Sequence, residues 1–324
     1  MTDIQFDICP TPSITVPVTH EIGGKMKKVV DAGSSGEFGW HAAETALRCA
    51  RLFSYKFRCK DDKACVVPTP SAPPPLAGAS SFNVTLPRGD ADNTRAPLAR
   101  GSLVHAGLAN HYRILQLIQQ GHDPDSVREE WASPTEAVSI CADTNGWGAH
   151  REEAIRIVNA YMANWMREEL EVLHVEEVFA AEIEGRRYTQ RLDLVVRDRD
   201  RKVYVFDHKV VGRISPQTVD RYTLSGQFIG MRRLVEMAYG DQFGGVKLNL
   251  IESGDKGFKF FRDVVAPAPS AVRTFPLTVL HARKIVDMCA DLPPEEWPQA
   301  LSEQTCYTPY GRCDYFDRCR WGSN

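Results

Sequence analysis

The sequence has no apolar run approaching the roughly 20 residues that a membrane-spanning helix requires. Its first residues, MTDIQFDICP, carry neither a basic start nor an apolar signal core. A soluble, cytoplasmic protein without membrane contact is the expectation. An excess of one charge sign is also missing, since 39 Lys and Arg stand against 42 Asp and Glu for a net charge of -3. Binding to nucleic acid through bulk charge is thereby excluded, and any contact with phosphate has to come from a local basic surface. Nine cysteines are too few to staple 324 residues with disulfides, and an intracellular setting keeps thiols reduced. No internal repeat is evident. What the chain does have is 43% hydrophobic residues, enough to bury a core in one large domain with appendages or two small ones.

Spacing of the apolar residues sets out the elements. Trp40, Ala43, Leu47, Ala50, Phe53 and Phe57 recur at three and four, which predicts an amphipathic helix over Trp40 to Phe57 with Cys49 on it. Residues 66–100 contain PTPSAPPPL and PRGDADN and read as a proline-rich loop or insertion. Helices follow over about Ser102 to Gln119, with His105 beside the apolar stripe, and over Glu152 to Leu170. Three extended runs, Val172 to Ala180, Tyr188 to Arg197 and Val203 to Val211, predict an antiparallel meander. A helix over Thr218 to Tyr239, strands near Val246 to Ile251 and Phe258 to Val265, and a helix near Thr278 to Leu292 complete an α/β sandwich around one mixed sheet.

In VYVFDHKVV, Asp207 and Lys209 are two apart on a predicted strand, so both side chains leave one face while Tyr204, Phe206 and His208 leave the other. If the preceding hairpin is symmetric about Asp200, Asp193 falls opposite Asp207. Facing aspartates repel unless a cation lies between them. Oxygen ligands of this kind suit Mg²⁺ or Mn²⁺, and the adjacent ammonium suits a site that hydrolyses a phosphodiester. The plainer reading is a solvated strand pair, against which the apolar flanks VYVF and VV argue for a central strand. Arg186, Arg187, Arg191, Arg197 and Arg213 are candidate phosphate contacts.

Cys306, Cys313 and Cys319 crowd the end of the chain, with Pro309 and Gly311 allowing a compact turn. A tail over 302–324 that binds a metal or cluster is the expectation. Structural zinc and unligated thiols are the alternatives, and zinc knuckles usually place two cysteines two to four residues apart, which these are not. Tyr307, Tyr310, Tyr315, Phe316 and Trp321 either shield such a site or pack the chain end.

Four of these pieces, in order, resemble the RecB-like branch of the PD-(D/E)XK nucleases, the group that includes the AddB nuclease domain, CRISPR-adaptation exonucleases and virus-encoded enzymes. CARLFSYKF at Cys49 to Phe57 is similar to the branch's cysteine-bearing helix, with Ala50 where proline is usual. GSLVHAGL at Gly101 to Leu108 is similar to its histidine helix. RLDLVV with VYVFDHKVV matches the catalytic strands, and CYTPYGRCDYFDRC the terminal cysteine motif. The resemblance implies one restriction-endonuclease-like domain over 1–324, a mixed sheet flanked by helices, with a helical N-terminal part and the cysteine tail. It implies a DNA exonuclease with Asp193, Asp207, Lys209 and Gln227 as catalytic residues. His105, Asp193, Asp207 and the His208 backbone carbonyl would hold Mg²⁺ or Mn²⁺, and Cys49, Cys306, Cys313 and Cys319 a 4Fe–4S cluster. Met231 stands where a tyrosine often follows the glutamine; Tyr222 and Glu177 are weaker candidates. The implied partner is DNA with single-stranded character or free ends, possible protein partners of a recombination or repair complex being unidentified. The alternative from another class is a non-catalytic DNA-binding or complex-assembly subunit on the same fold.

Overall fold

Strong alternation in the middle of the chain produces a sheet. In the computed structural model the described residues are 6–8, 17–31, 38–58, 91–254, 257–308 and 311–321. They fall into two compact units, Met1–Trp40 with Ala96–Leu277, and His41–Arg95 with Thr278–Asn324. Among the described residues, no helix is long and apolar enough to cross a membrane.

The first unit is built on a six-stranded sheet of order β1-β4-β5-β6-β7-β8. Its strands are β1 (Phe6–Ile8), β4 (Glu171–Ile183), β5 (Arg186–Arg197), β6 (Val203–Val211), β7 (Phe243–Gly254) and β8 (Gly257–Val265). A separate hairpin pairs β2 (Val18–Ile22) with β3 (Lys25–Val29). The meander β4-β5-β6 is antiparallel, β7 runs parallel to β6, and β8 returns antiparallel, so the sheet is mixed as expected. Leu194 pairs with Phe206 and Val196 with Tyr204, so the hairpin is symmetric about Asp200. Asp193 and Asp207 each lie one residue beyond the last pair of this ladder.

One face of this sheet meets a helical layer. Helices α3 (Ala91–Gln119) and α6 (Arg151–Trp165) contribute Leu103, Leu108, Ile157 and Tyr161 to a core that includes Leu194, Val196, Phe206 and Ile251. Because Asp207 alternates with Phe206 and His208, it leaves the opposite face. There α8 (Gly226–Tyr239) packs Phe228, Met231, Leu234 and Val235, all buried.

Several elements differ from expectation. The proline-rich segment lies outside the described residues up to 90, but 91–100 are helical. Ala96, Ala99 and Leu103, three and four apart, are buried and draw this extension into the core. Two helices had no counterpart in the sequence reading. They are α4 (Pro124–Glu130), capped by Asp123, and α5 (Pro134–Asn145), started by a Ser133/Glu136 capping box and ended by left-handed Gly146. The helix expected over Thr218 to Tyr239 is two, α7 (Pro216–Thr223) and α8, parted at Leu224 and Ser225.

That break sets the start of α8. A Cβ added to Gly226 would lie 2.2 Å from the indole of Trp40, so glycine alone admits the ring. Gly226→Ala is expected to destabilise the protein by about 1–3 kcal/mol, the usual cost of overpacking a tight contact. An unchanged midpoint in thermal unfolding would show that Trp40 yields freely.

In the second unit, the helix expected over Trp40 to Phe57 is interrupted. Helix α1 (Trp40–Arg48) ends at Cys49, α2 (Ala50–Phe53) follows, and a π-helical turn covers Ser54–Arg58. Cys49 is extended (φ -164°, ψ 112°) and caps α2, its Sγ accepting from the Leu52 amide. The Arg51 amide donates to the Pro298 carbonyl instead of continuing the helix ladder, and the Arg51 Nε donates to the Trp297 carbonyl. The last long helix, α9, covers Pro269–Met288, earlier than the Thr278 to Leu292 expected. Shorter pieces complete the chain: α10 (Glu303–Cys306), the strands β9 (Tyr307–Thr308) and β10 (Gly311–Arg312), and α11 (Phe316–Trp321).

Candidate metal centre and cysteine site

The acids of the first unit converge because three strands and a helix meet there. Asp193 on β5 accepts a hydrogen bond from the His208 amide of β6 at 2.9 Å, which ties the two strands where their ladder ends. His105 on α3 reaches the same point: its Nε2 lies 2.8 Å from the His208 carbonyl, and its Nδ1 lies 3.4 Å from Asp193 Oδ2. A carbonyl only accepts, so Nε2 carries a proton and Nδ1 is the ring atom that faces the Asp193 carboxylate. A histidine whose other nitrogen donates to a backbone carbonyl is the usual arrangement of a metal-ligating imidazole.

A third candidate ligand at this point has no counterpart in the sequence pattern. Glu176 joins His105 and Asp193, the three offering ligand atoms within 4.8 Å of one another. On β4, Val175 pairs with Leu194 and Glu177 with Leu192, which leaves Glu176 across from Asp193. Glu176 takes a left-handed backbone (φ 51°), a conformation uncommon outside glycine and enriched where structure serves a site. Glu177, the weaker candidate offered by the resemblance, is instead buried against His174 and Arg113.

Asp207 is fully buried, with Lys209 Nζ 2.7 Å from its Oδ2 and the Gln227 amide donating to Oδ1 at 3.0 Å. Thus Gln227, from the first turn of α8, holds the carboxylate that Lys209 faces. Tyr188 donates to Gln190, which donates in turn to the Gln227 carbonyl. Tyr222 packs on Phe228 and lies close enough to Lys209 to influence its charge. Met231, which stands where the resembled branch often has a tyrosine, is buried in the core. Of the arginines expected at phosphate, Arg191 and Arg197 are engaged by Glu176 and Glu171.

Burial and neighbouring charges set the protonation of these groups. Burial, with Asp193 nearby, pushes Glu176 up to about 8 despite Arg191. Burial likewise pushes Asp207 up to about 6 against the pull of Lys209. For Asp193, burial is outweighed by His105, Lys209 and His208, and its carboxyl lies below the usual range. Burial opposes the Lys209 charge, but Asp207 and Asp193 more than offset it and raise its pKa. Glu176 is therefore mostly protonated at neutral pH until a cation displaces the proton.

A sign follows for stability. A carboxyl whose pKa is raised on folding stabilises the metal-free fold at acid pH, and that contribution is lost as pH rises from the ordinary range through about 8. Mn²⁺ binding at pH 7 is expected to release about one proton. Calorimetry in buffers of different ionisation enthalpy measures it, and Glu176→Gln should remove the release. Heat independent of the buffer would contradict this description of Glu176.

Within the second unit, Cys49, Cys306, Cys313 and Cys319 line one cavity of about 370 Å3, together with Leu52, Tyr315 and Phe316. The β9–β10 hairpin, with Gly311 at φ 113°, brings Cys313 back so that its amide donates to the Cys306 carbonyl at 2.8 Å. Helix α11 carries Cys319. Burial, with Cys313 and Cys49 nearby, raises the Cys306 thiol, and burial raises Cys319 as well. Four cysteine sulfurs lining one cavity suit a positive centre. Tyr307 also lines the cavity. Cys9, Cys59, Cys65 and Tyr310 lie outside the described residues, as does the side chain of Trp321.

A mixed sheet with helices on both faces brings buried acids, a lysine and an imidazole to one point, a set suited to holding a divalent cation. The sequence model of the PD-(D/E)XK nuclease superfamily matches residues 82–320, and the chain belongs to that superfamily. Its members are usually nucleases that use divalent metals such as Mg²⁺ or Mn²⁺. No curated protein matches the chain significantly. Among solved structures, the crystal structure of SSO0001 is similar at 11% identity and a TM-score of 0.28, over 59% of this chain and 77% of that one.

Proposed function

We propose that this chain is a DNA exonuclease of the RecB-like branch. His105, Glu176, Asp193 and Asp207 hold one or two Mg²⁺ or Mn²⁺ ions. The observation that carries the reading is the convergence of His105 Nδ1, Glu176 and Asp193 beside buried Asp207 and Lys209. A divalent ion supplies Lewis acidity toward a phosphate oxygen and a water of lowered pKa. Lys209 then orients the attacking water or offsets charge developing on phosphate, while Gln227 keeps Asp207 aimed. The His208 carbonyl already accepts from His105, which leaves its second lone pair for an ion.

The second site belongs to the same reading. Cys49, Cys306, Cys313 and Cys319 hold a 4Fe–4S cluster with a structural role. Four cysteines around one mostly apolar cavity, with no two of them two to four residues apart as in a zinc knuckle, support a polynuclear centre.

Incubation with Mn²⁺ and either linear or covalently closed DNA tests the exonuclease claim. Mononucleotides or short oligomers from the linear substrate, with the closed one intact, are expected. Linearisation of the closed circle would make the enzyme an endonuclease.

A further inference from the structure

On the side of β6 away from Asp207 lies a buried polar chain that the chemistry above does not use. Arg262 of β8 is paired with Glu168 and stacked over Trp165 at 3.8 Å and Phe206 at 4.4 Å. Its Nε donates to Asn249 Oδ1 at 3.3 Å, and its NH2 group to the Tyr161 hydroxyl at 2.8 Å. Asn249 Nδ2 contacts both that hydroxyl, at 2.9 Å, and His208 Nδ1. The Tyr161 hydroxyl lies 2.9 Å from that of Tyr112. Asn249 is fully buried, and His208 nearly so.

Guanidinium groups only donate, and this fixes every direction in the chain. The Asn249 atom facing Arg262 has to be the carbonyl oxygen, so its amide faces His208. His208 Nδ1 is then an acceptor, and the ring proton sits on Nε2. Tyr161 accepts from Arg262 and Asn249 and donates to Tyr112. The ring of His208 is further held edge-on to Tyr161 at 5.7 Å and offset-stacked on Tyr112 at 6.1 Å. Both backbone polar groups of this one residue point back into the candidate metal centre, the amide to Asp193 and the carbonyl to His105.

We propose that Arg262, Asn249 and Tyr161 are positioning residues that lock the His208 side chain and thereby hold His105 and Asp193 in metal-ligating geometry. The claim rests on the metal site proposed above. A change at Asn249 acts through one rigid residue on two ligands together, with no contact to the ion or to DNA. Loss of such outer partners typically lowers metal affinity by about 10- to 100-fold.

The test is Mn²⁺ binding by calorimetry, with ¹⁵N spectroscopy of the His208 ring in metal-free protein. Asn249→Leu is expected to weaken Mn²⁺ binding by about 10- to 100-fold, and higher Mn²⁺ should restore cleavage. Asn249→Asp keeps the partner for Arg262 but cannot donate to Nδ1. It should move the ring proton from Nε2 to Nδ1 while holding Mn²⁺ affinity within about threefold of wild type, since the ring stays bonded. This variant decides the matter if Asn249→Leu does not fold. Wild-type affinity in folded Asn249→Leu, or a ring proton that stays on Nε2 in Asn249→Asp, would overturn the proposal. Wild-type protein that binds Mn²⁺ no better than Asp193→Asn would overturn the metal site itself.

Discussion

Lys209→Ala is expected to bind Mn²⁺ within a few-fold of wild type and yet to cleave DNA about 10²- to 10⁴-fold more slowly, the range for removing a group that handles a proton or charge at the reacting centre. The ammonium is not a ligand. It lies 2.7 Å from Asp207 and is held charged by Asp207 and Asp193, so its loss leaves the acids free to take the ion. Affinity for DNA should change little, because backbone phosphates are bound by other cations. The split between metal affinity and turnover is the informative quantity. Cleavage at the wild-type rate by this variant would remove Lys209 from the chemistry, and a lost Mn²⁺ isotherm would recast it as a structural counter-ion.

Cys49→Ala is expected to bleach protein purified without oxygen and to cost about 2–5 kcal/mol of stability, comparable with loss of a covalent cross-link closing a long loop. The wild-type protein should be brown and contain iron. Cys49 comes from one end of the second unit's sequence and Cys306, Cys313 and Cys319 from the other, so the cluster staples segments that the chain itself holds far apart. Its sulfur is fixed by capping α2, where it accepts from the Leu52 amide, so little conformational freedom is lost on binding. Cys59→Ala and Cys65→Ala should keep the colour. Bleaching by Cys59→Ala alone would displace Cys49 as the fourth ligand, and zinc without iron would replace the cluster and leave the nuclease reading standing.

Much of the sheet was legible because its strands alternate or run apolar between turns, and the turn at Asp200 set the register that brings Asp193 to Asp207. Glu176 was not legible. Periodicity assumes every strand residue is extended, and a single left-handed residue redirects one side chain without leaving a compositional mark. Helices α4 and α5 were written in the caps Asp123-Pro124 and Ser133-Pro134-Thr135-Glu136, a signal carried by hydrogen-bonding residues and not by apolar spacing. The break at Cys49 was hidden for another reason. It depends on a hydrogen bond from Arg51 to Pro298, distant in sequence, while the local apolar pattern continues unbroken through it. The network at Asn249 was invisible for the same cause, its members coming from α3, α6, β6, β7 and β8.

The most direct measurement follows end-labelled linear DNA with Mn²⁺ for wild type and Asp207→Asn prepared in parallel, with chelator added to a third reaction. Asp207→Asn preserves the shape of the side chain but removes the charge that Lys209 and an ion share. Label release by wild type alone, abolished by chelator, is the expected result; equal release by both proteins, or release that survives the chelator, would contradict a metal-dependent site built on Asp193, Asp207 and Lys209.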